Sequence, residues 1–428
     1  MISLKKIITN KTAKNAGWLI AGKIFQMVLS LFVGVLTARY LGPSNYGLVN
    51  YSKAYVSFFT SLCTLGINSI LVKEFVDKRE KTGEIIGTTL VLRAISSILS
   101  MIMIFGIVSI LDYGETITIV VTVLCSIGIL FNILETFNYW FQSILKSKFT
   151  AIATLLAYVI VSVYRIILMI TSQDVYLFAL AAALDYFAVG AILIIFYIVN
   201  KGPKMSFSFA CAKDLLSKSW HFILPGLMVS IFSQTDKMML KQFVDETEVG
   251  YYATALAICN MWVFILSAII DSFYPSIMQL HKEGNIDLYE KRNMLLYCIV
   301  FYVSLIASTL ITILSPVIVK ILYGGDYMPS VNPLRIITWY TAFSFLGVAR
   351  NAWVVCENKQ KYLIWIYLAS AIINVGLNLA LIPVLGASGA ALASLSAQIL
   401  TTMIVPLFIK PLKENTILIL KAIIFKFL

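Results

Sequence analysis

The spacing of apolar and polar positions divides this chain into helix-length apolar runs joined by short polar connections. About 20 helical residues cross the roughly 30 Å hydrocarbon core of a bilayer. Runs of that length fall near residues 18–38, 47–71, 86–110, 117–141, 149–171, 176–199, 221–243, 250–276, 294–320, 333–355, 362–383 and 386–409. The pattern predicts an all-α, polytopic membrane protein with about 12 transmembrane helices. A repeated phrase groups them. In Trp18–Asn50 a tryptophan opens an apolar run, Arg39 and a Gly-Pro turn close it, and Tyr46-Gly47 restarts the next. From Trp220 the same order recurs and ends at Gly250-Tyr251. Two related halves follow, a common transporter arrangement. Residues 1–199 are expected to form an N-terminal six-helix bundle and 220–410 a C-terminal one. Residues 200–219 read as a cytoplasmic linker, and 411–428 as a cytoplasmic or interfacial amphipathic tail.

Polar residues inside the runs recur in steps of three and four, so each set shares a helix face. The first run places Lys23, Gln26, Ser30 and Thr37 together, and the second Asn50, Lys53, Ser57 and Thr64. The third carries Arg93, Ser96 and Ser100, and the fourth Asn132, Glu135, Asn138 and Gln142. Lys237 follows Ser230, Ser233 and Gln234 in the seventh, while Ser267 and Asp271 mark the eighth. Such stripes on both halves predict a central aqueous cavity between the bundles.

Charge gives that cavity a sign. A charge at the bilayer centre costs about 2.5–3.5 kcal/mol on insertion scales, so a deep one should face water or a partner. Ten Lys and Arg lie near or within the runs, against four carboxylates, Glu135, Asp185, Asp236 and Asp271. The cavity is therefore expected to be cationic. Its candidate lining is Lys23, Lys53, Arg93, Arg165, Lys237, Arg335 and Arg350, with Gln26 and Asn50; the four acids are read as ion-coupling or charge-pairing groups. Blander readings stand beside these. Arg39, Lys241 and Lys320 sit at run ends, where long side chains snorkel to the headgroups, and Arg350 is open to the same reading. Glu135 or Asp185 can simply neutralise Arg93 or Arg165. Asp236 beside Lys237 can be a structural pair, although adjacent helical positions point about 100° apart. Serine and threonine stripes also pack helices together without any other role. Pro225-Gly226 marks either a gating bend or a static kink.

Composition agrees with a bilayer environment. The chain is 60% hydrophobic and 13% charged, with a mean hydropathy of +0.90, against roughly 25% charged residues in ordinary globular proteins. A net charge of +12 would suggest nucleic acid in a soluble chain. Here most of the 33 Lys and Arg fall in alternate connections, beginning with Lys5, Lys6, Lys11 and Lys14, while the opposite connections carry Asp112, Glu115, Asp174, Asp245 and Asp326. By the positive-inside rule both termini are cytoplasmic. The first run shows no small-residue cleavage site and is read as a retained helix. Six scattered cysteines without a C-x-x-C pair, and two histidines, offer no metal-ligand spacing. There is no phosphate-binding G-x-x-x-x-G-K-[ST] loop, no Ser/His/Asp arrangement and no sizeable external loop. An enzyme is not expected, and no cofactor or nucleic-acid partner is.

Specific residues then carry a resemblance. Asn15 with Trp18, the run from Ala38 to Gly47 (ARYLGPSNYG), Leu65-Gly66-Ile67, Asp236-Lys237-Met238-Met239-Leu240 and Val249-Gly250-Tyr251-Tyr252 are similar to polysaccharide-biosynthesis flippases. So are Leu322-Tyr323-Gly324 and Gly386–Ala391 after Pro383. That group, including the Wzx-type O-antigen flippases, belongs to the multidrug/oligosaccharidyl-lipid/polysaccharide exporter superfamily. The resemblance spans nearly the whole chain in family order and is nearly silent on substrate. It implies two six-helix bundles around a cationic lumen, working by alternating access in a bacterial cytoplasmic (inner) membrane. The implied cargo is an undecaprenyl-pyrophosphate-linked oligosaccharide, with Lys23 and Lys53 corresponding to cationic residues that relatives keep on their first two helices. Coupling to a proton or sodium gradient, contact with membrane lipids and partnership with polysaccharide polymerase machinery are further implications. A multidrug-type cation antiporter is the alternative, but its lumen should be rich in carboxylates. A scaffold for glycan-synthesis enzymes would need no polar stripes.

Overall fold

A computed structural model describes residues 11–424, with side chains from Leu29 onward. Every regular element among the described residues is helical. Nine helical segments there are long and apolar enough to cross a membrane. Two of them, Leu29–Asp77 and Gln360–Phe408, run for 49 residues each and contain a glycine with non-helical backbone, Gly42 or Gly386. Each covers two of the predicted runs. The runs at 250–276 and 333–355 are instead cut by turns at Met261-Trp262 and Thr338-Trp339. Twelve thus describes apolar runs rather than unbroken helices.

The chain separates into two compact units, Met1–Leu41 with Leu48–Ser230, and Gly42–Gly47 with Ile231–Leu428. Unit 1 contains most of α1 (Lys11–Cys63), then α2 (Asn68–Asp77), α3 (Thr82–Leu111), α4 (Thr116–Asn132), α5 (Thr136–Ser143), α6 (Lys148–Ile170), α7 (Val175–Val199) and α8 (Phe209–Ser219). Its helices are inverted relative to those of a soluble protein. On α3, Ile95, Ile98, Leu99 and Ile102 are exposed at helical spacing, while Arg93, Ser97 and Ser100 are buried. That outer stripe has no stable partner in water and suits acyl chains. Inside, Leu71, Ile85, Phe137, Trp140, Phe141 and Tyr197 form one apolar core.

Residues 200–219, expected as a linker, are built into unit 1. The stretch before α8 runs against α3, where Ser206 N–H donates to the Gly83 carbonyl at 3.2 Å and Ser208 N–H to Thr88 Oγ1 at 3.1 Å. A Cβ at Gly83 or Gly87 would collide with the Lys204 or Ser206 carbonyl, so this close approach depends on both glycines. Charge fastens α8 to α2: Lys218 meets Glu74 at 2.9 Å and Lys78 meets Asp214 at 2.6 Å. Asp214, then Glu74, hold the Lys78 ammonium above its ordinary pKa by hydrogen bonding.

Unit 2 comprises the latter part of α9 (Ile223–Phe243), α10 (Glu246–Asn260), α11 (Val263–Lys282), α12 (Ile286–Leu322), α13 (Val331–Ile337), α14 (Tyr340–Cys356), α15 (Leu363–Ile399) and α16 (Lys410–Ile423). Its core gathers Leu296, Tyr297, Leu346, Trp353, Leu412 and Ile419. The tail is amphipathic, and in α16 its buried face is docked: Asn415 Nδ2 donates to Tyr297 Oη at 2.6 Å, and Tyr302 Oη donates to the Ile423 carbonyl at 2.7 Å.

The repeated Tyr-Gly phrase acquires a packing reason within unit 2. A Cβ at Gly47 would strike the Glu246 carbonyl, and one at Gly250 the Pro43 carbonyl. The two glycines let the segment Gly42–Gly47 and the start of α10 cross backbone to backbone, with Ser44 and Glu246 joined at 3.1 Å. The helix break at Gly386 is fixed by Glu248, whose carboxylate accepts from Ala387 N–H at 2.6 Å, and Gly386 itself sits at φ 53, in the region where side chains are strained. Pro225 follows directly on a 3₁₀ turn, Trp220–Phe222, at the start of α9, inside the continuous helical stretch Phe209–Phe243. Non-helical backbone inside the long helices falls elsewhere, at Gly42 and Gly386.

Candidate functional site

Five of the sequence-predicted residues converge in unit 1. The fourth apolar run does not stay straight: a short 3₁₀ turn, Ile133–Glu135, separates α4 from α5. Leu134 in that turn packs where only Gly190 leaves room on α7. Asn132, at the end of α4, reaches Arg93 on α3, and both it and Glu135 stand on the wall of a cavity. That cavity has a volume of about 430 Å³, and its wall includes Lys53 from α1, Asn138 from α5, Thr150 and Tyr158 from α6, and Asp185 and Tyr186 from α7.

The charges around it are mostly spoken for. Arg165 Nη2 lies 2.8 Å from Asp185 Oδ2. Arg93 is wholly buried; its guanidinium donates to Thr136 Oγ1 at 3.0 Å and Asn132 Oδ1 at 3.3 Å, with Glu135 at 3.8 Å. A buried arginine held by neutral acceptors and one carboxylate is a cross-link between helices. The expected place of Arg93 on an open substrate path is therefore corrected to the interior of the unit. Both acids do what their plainer reading offered and neutralise an arginine, while each also lines the cavity.

Unit 2 holds the second constellation. Asp236 on α9 is 3% exposed. Tyr252 Oη and Ser394 Oγ each donate to its Oδ2 at 2.5 Å, and Asn378 Nδ2 donates to its Oδ1 at 2.6 Å. Asn374 extends the network, accepting from Asn378 at 3.1 Å and donating to Ser394 at 3.4 Å. All five side chains are buried, and Asn378 Oδ1 has no hydrogen-bond partner. A buried carboxylate surrounded only by neutral groups in these contacts, beside an orphaned amide oxygen, is chemically suited to a proton or a small hard cation.

The remaining candidates are dispersed. Lys237 turns away from Asp236 and donates to Gln234 Oε1 at 3.2 Å, as the helical offset requires. Arg350 is buried and donates to the Thr402 carbonyl at 2.5 Å, in the wider turn Leu400–Ile404. It ties α14 to that turn and reaches neither headgroups nor an open path, contrary to both expectations for it. Arg335 is exposed, with Nε 3.2 Å from Ser315 Oγ; Asp271 is exposed on α11, and Asn50 is half-buried on α1. The side chains of Lys23 and Gln26 lie outside the described residues. The reading from sequence missed Tyr252, Asn374, Asn378 and Ser394. Its available signal was the i, i+4 asparagine pair in an otherwise apolar run.

These two constellations sit in a recognisable chain. A family described as polysaccharide biosynthesis protein matches residues 12–281. The chain belongs to that family. A curated relative from Escherichia coli (strain K12), provisionally named an O-antigen transporter, is 23% identical over 94% of this chain and 98% of its own length. Among solved structures, lipid II flippase MurJ in an inward closed conformation has a TM-score of 0.72 at 16% identity, covering 95% of this chain and 91% of that one. An inward-facing multidrug resistance MATE transporter of the MOP superfamily scores 0.68 at 16% identity, over 91% and 96%. At such identities the likeness to solved structures is one of fold. This member of the polysaccharide biosynthesis family is a multi-pass membrane protein with the fold of MOP-superfamily transporters, and these named relatives are transporters and flippases rather than enzymes.

Proposed function

We propose that the protein is a flippase that carries an undecaprenyl-pyrophosphate-linked oligosaccharide, the repeat unit of an O-antigen or other surface polysaccharide, across the bacterial cytoplasmic membrane by alternating access. Family membership over residues 12–281 carries this reading, and the E. coli relative supports it over nearly the full chain. The cavity of unit 1 is the substrate-facing site, with Lys53 its cation. The Asp236 network is the coupling site, taking up a proton or sodium ion from the gradient. Binding there would replace donated hydrogen bonds by a cation on Asp236 and Asn378, and so give the two protonation or ion states different packing around Ser394 and Tyr252. Both termini face the cytoplasm, and the polymerase that consumes the flipped unit is the expected functional partner.

Deleting the gene in its own host tests the reading. Surface glycan should disappear while its lipid-linked precursor accumulates, and the wild-type gene should restore it. Normal surface glycan combined with new sensitivity to cationic drugs would instead assign the protein to multidrug export.

A further inference from the structure

We propose that the unit 1 cavity is a saccharide subsite that receives sugar residues of the cargo and excludes its pyrophosphate. This rests on the flippase reading and names the part of the cargo that the cavity holds. The groups that face the cavity decide between the two parts. Among its wall residues one cation, Lys53, faces two carboxylates, Glu135 and Asp185. Arg165 and Arg93 lie behind those carboxylates, paired at 2.8 and 3.8 Å, and are not part of the wall. The arginines offset the carboxylates' charge but are absent from the wall, so a pyrophosphate would find one cationic donor, Lys53, beside carboxylate oxygens that cannot donate to it.

A neutral polyol meets complementary groups. Sugar hydroxyls both donate and accept, and the wall supplies carboxylate acceptors at Glu135 and Asp185, an ammonium donor at Lys53 and an amide at Asn138. The Thr150 hydroxyl lines the same space, is 8% exposed and has no hydrogen-bond partner. A buried hydroxyl left unmade costs stability unless a ligand or water satisfies it. Tyr158 and Tyr186 add aromatic surface for the apolar C–H face of a pyranose. At about 430 Å³ the space falls within the roughly 300–1,000 Å³ of small-molecule pockets. It is too polar a lining for the polyprenyl chain.

The experiment measures binding of three probes to the full chain in nanodiscs: undecaprenyl pyrophosphate, the same lipid bearing one neutral hexose, and a lipid-free neutral trisaccharide. Wild type should hold the hexose-bearing lipid about tenfold tighter than the bare one, the yield of one or two good hydrogen bonds, and should bind the trisaccharide weakly. Asn138→Ala and Thr150→Val should erase the hexose preference and the trisaccharide binding, with bare-lipid affinity unchanged. If wild type binds both lipids equally and ignores the trisaccharide, the subsite is overturned and the flippase reading survives. If bare-lipid affinity falls in the variants along with the other, the cavity holds pyrophosphate and the proposal fails. Trisaccharide binding lost in the variants, with neither lipid bound by wild type, upholds a sugar cavity and overturns the flippase reading.

Discussion

Two basic residues that the sequence places on polar helical stripes meet different surroundings within unit 1. Lys53 and Arg93 each sit on a polar helical stripe within an apolar run, yet Lys53 lines a cavity while Arg93 is sealed among Asn132, Thr136 and Glu135. Their substitutions should separate accordingly. Arg93→Ala leaves Asn132, Thr136 and Glu135 without their buried cation, and should cost on the order of 3 kcal/mol of stability. That is read as a lowered apparent melting temperature of the purified protein. Lys53→Ala should leave melting unchanged and abolish glycan export, and Lys53→Arg should retain part of it if charge matters more than shape. Equal melting losses in both alanine variants would make Lys53 another internal cross-link. The stripes were legible because helical period alone orders them. The depth of each residue was not, because burial of Arg93 depends on the 3₁₀ turn at Ile133–Glu135, which apolar periodicity does not reveal.

At the scale of elements, the repeated Tyr-Gly phrase was visible as a pattern and invisible as a contact. Gly47 and Gly250 are alike because each is opposed by a backbone carbonyl near the other, Glu246 for one and Pro43 for the other. Carbonyls cannot move aside as a flexible side chain can, so Gly250→Val should cost about 1–3 kcal/mol by overpacking. Circular dichroism melts of the variant should show it, and an unshifted melt would mean that the crossing is loose. The packing of the segment 200–219 within unit 1 is hidden for a related reason. Its lysines and serines mark it as polar, but its attachment depends on Gly83 and Gly87 of α3 and on Glu74, residues that carry no signal until the strand of chain lying on them is known. The helix breaks show the same limit. Pro225 is a conspicuous breaker in sequence and follows a 3₁₀ turn, whereas the break at Gly386 carries no such signal, because Glu248 from a distant helix caps the segment that restarts at Ala387.

For the whole molecule, membrane residence and fold were legible from composition and run length, since a bilayer imposes both. The substrate is the part that chemistry at single sites must decide. The proposed translocation of a lipid-linked glycan, driven through Asp236, can be read in proteoliposomes. The protein is reconstituted with an undecaprenyl-pyrophosphate-linked oligosaccharide under an imposed sodium or proton gradient, and the glycan reaching the outer leaflet is read by a membrane-impermeant lectin. Transfer should run well above protein-free liposomes and be accelerated by one of the two gradients, with that acceleration lost in Asp236→Asn. Transfer no faster than in protein-free liposomes under either gradient would contradict it.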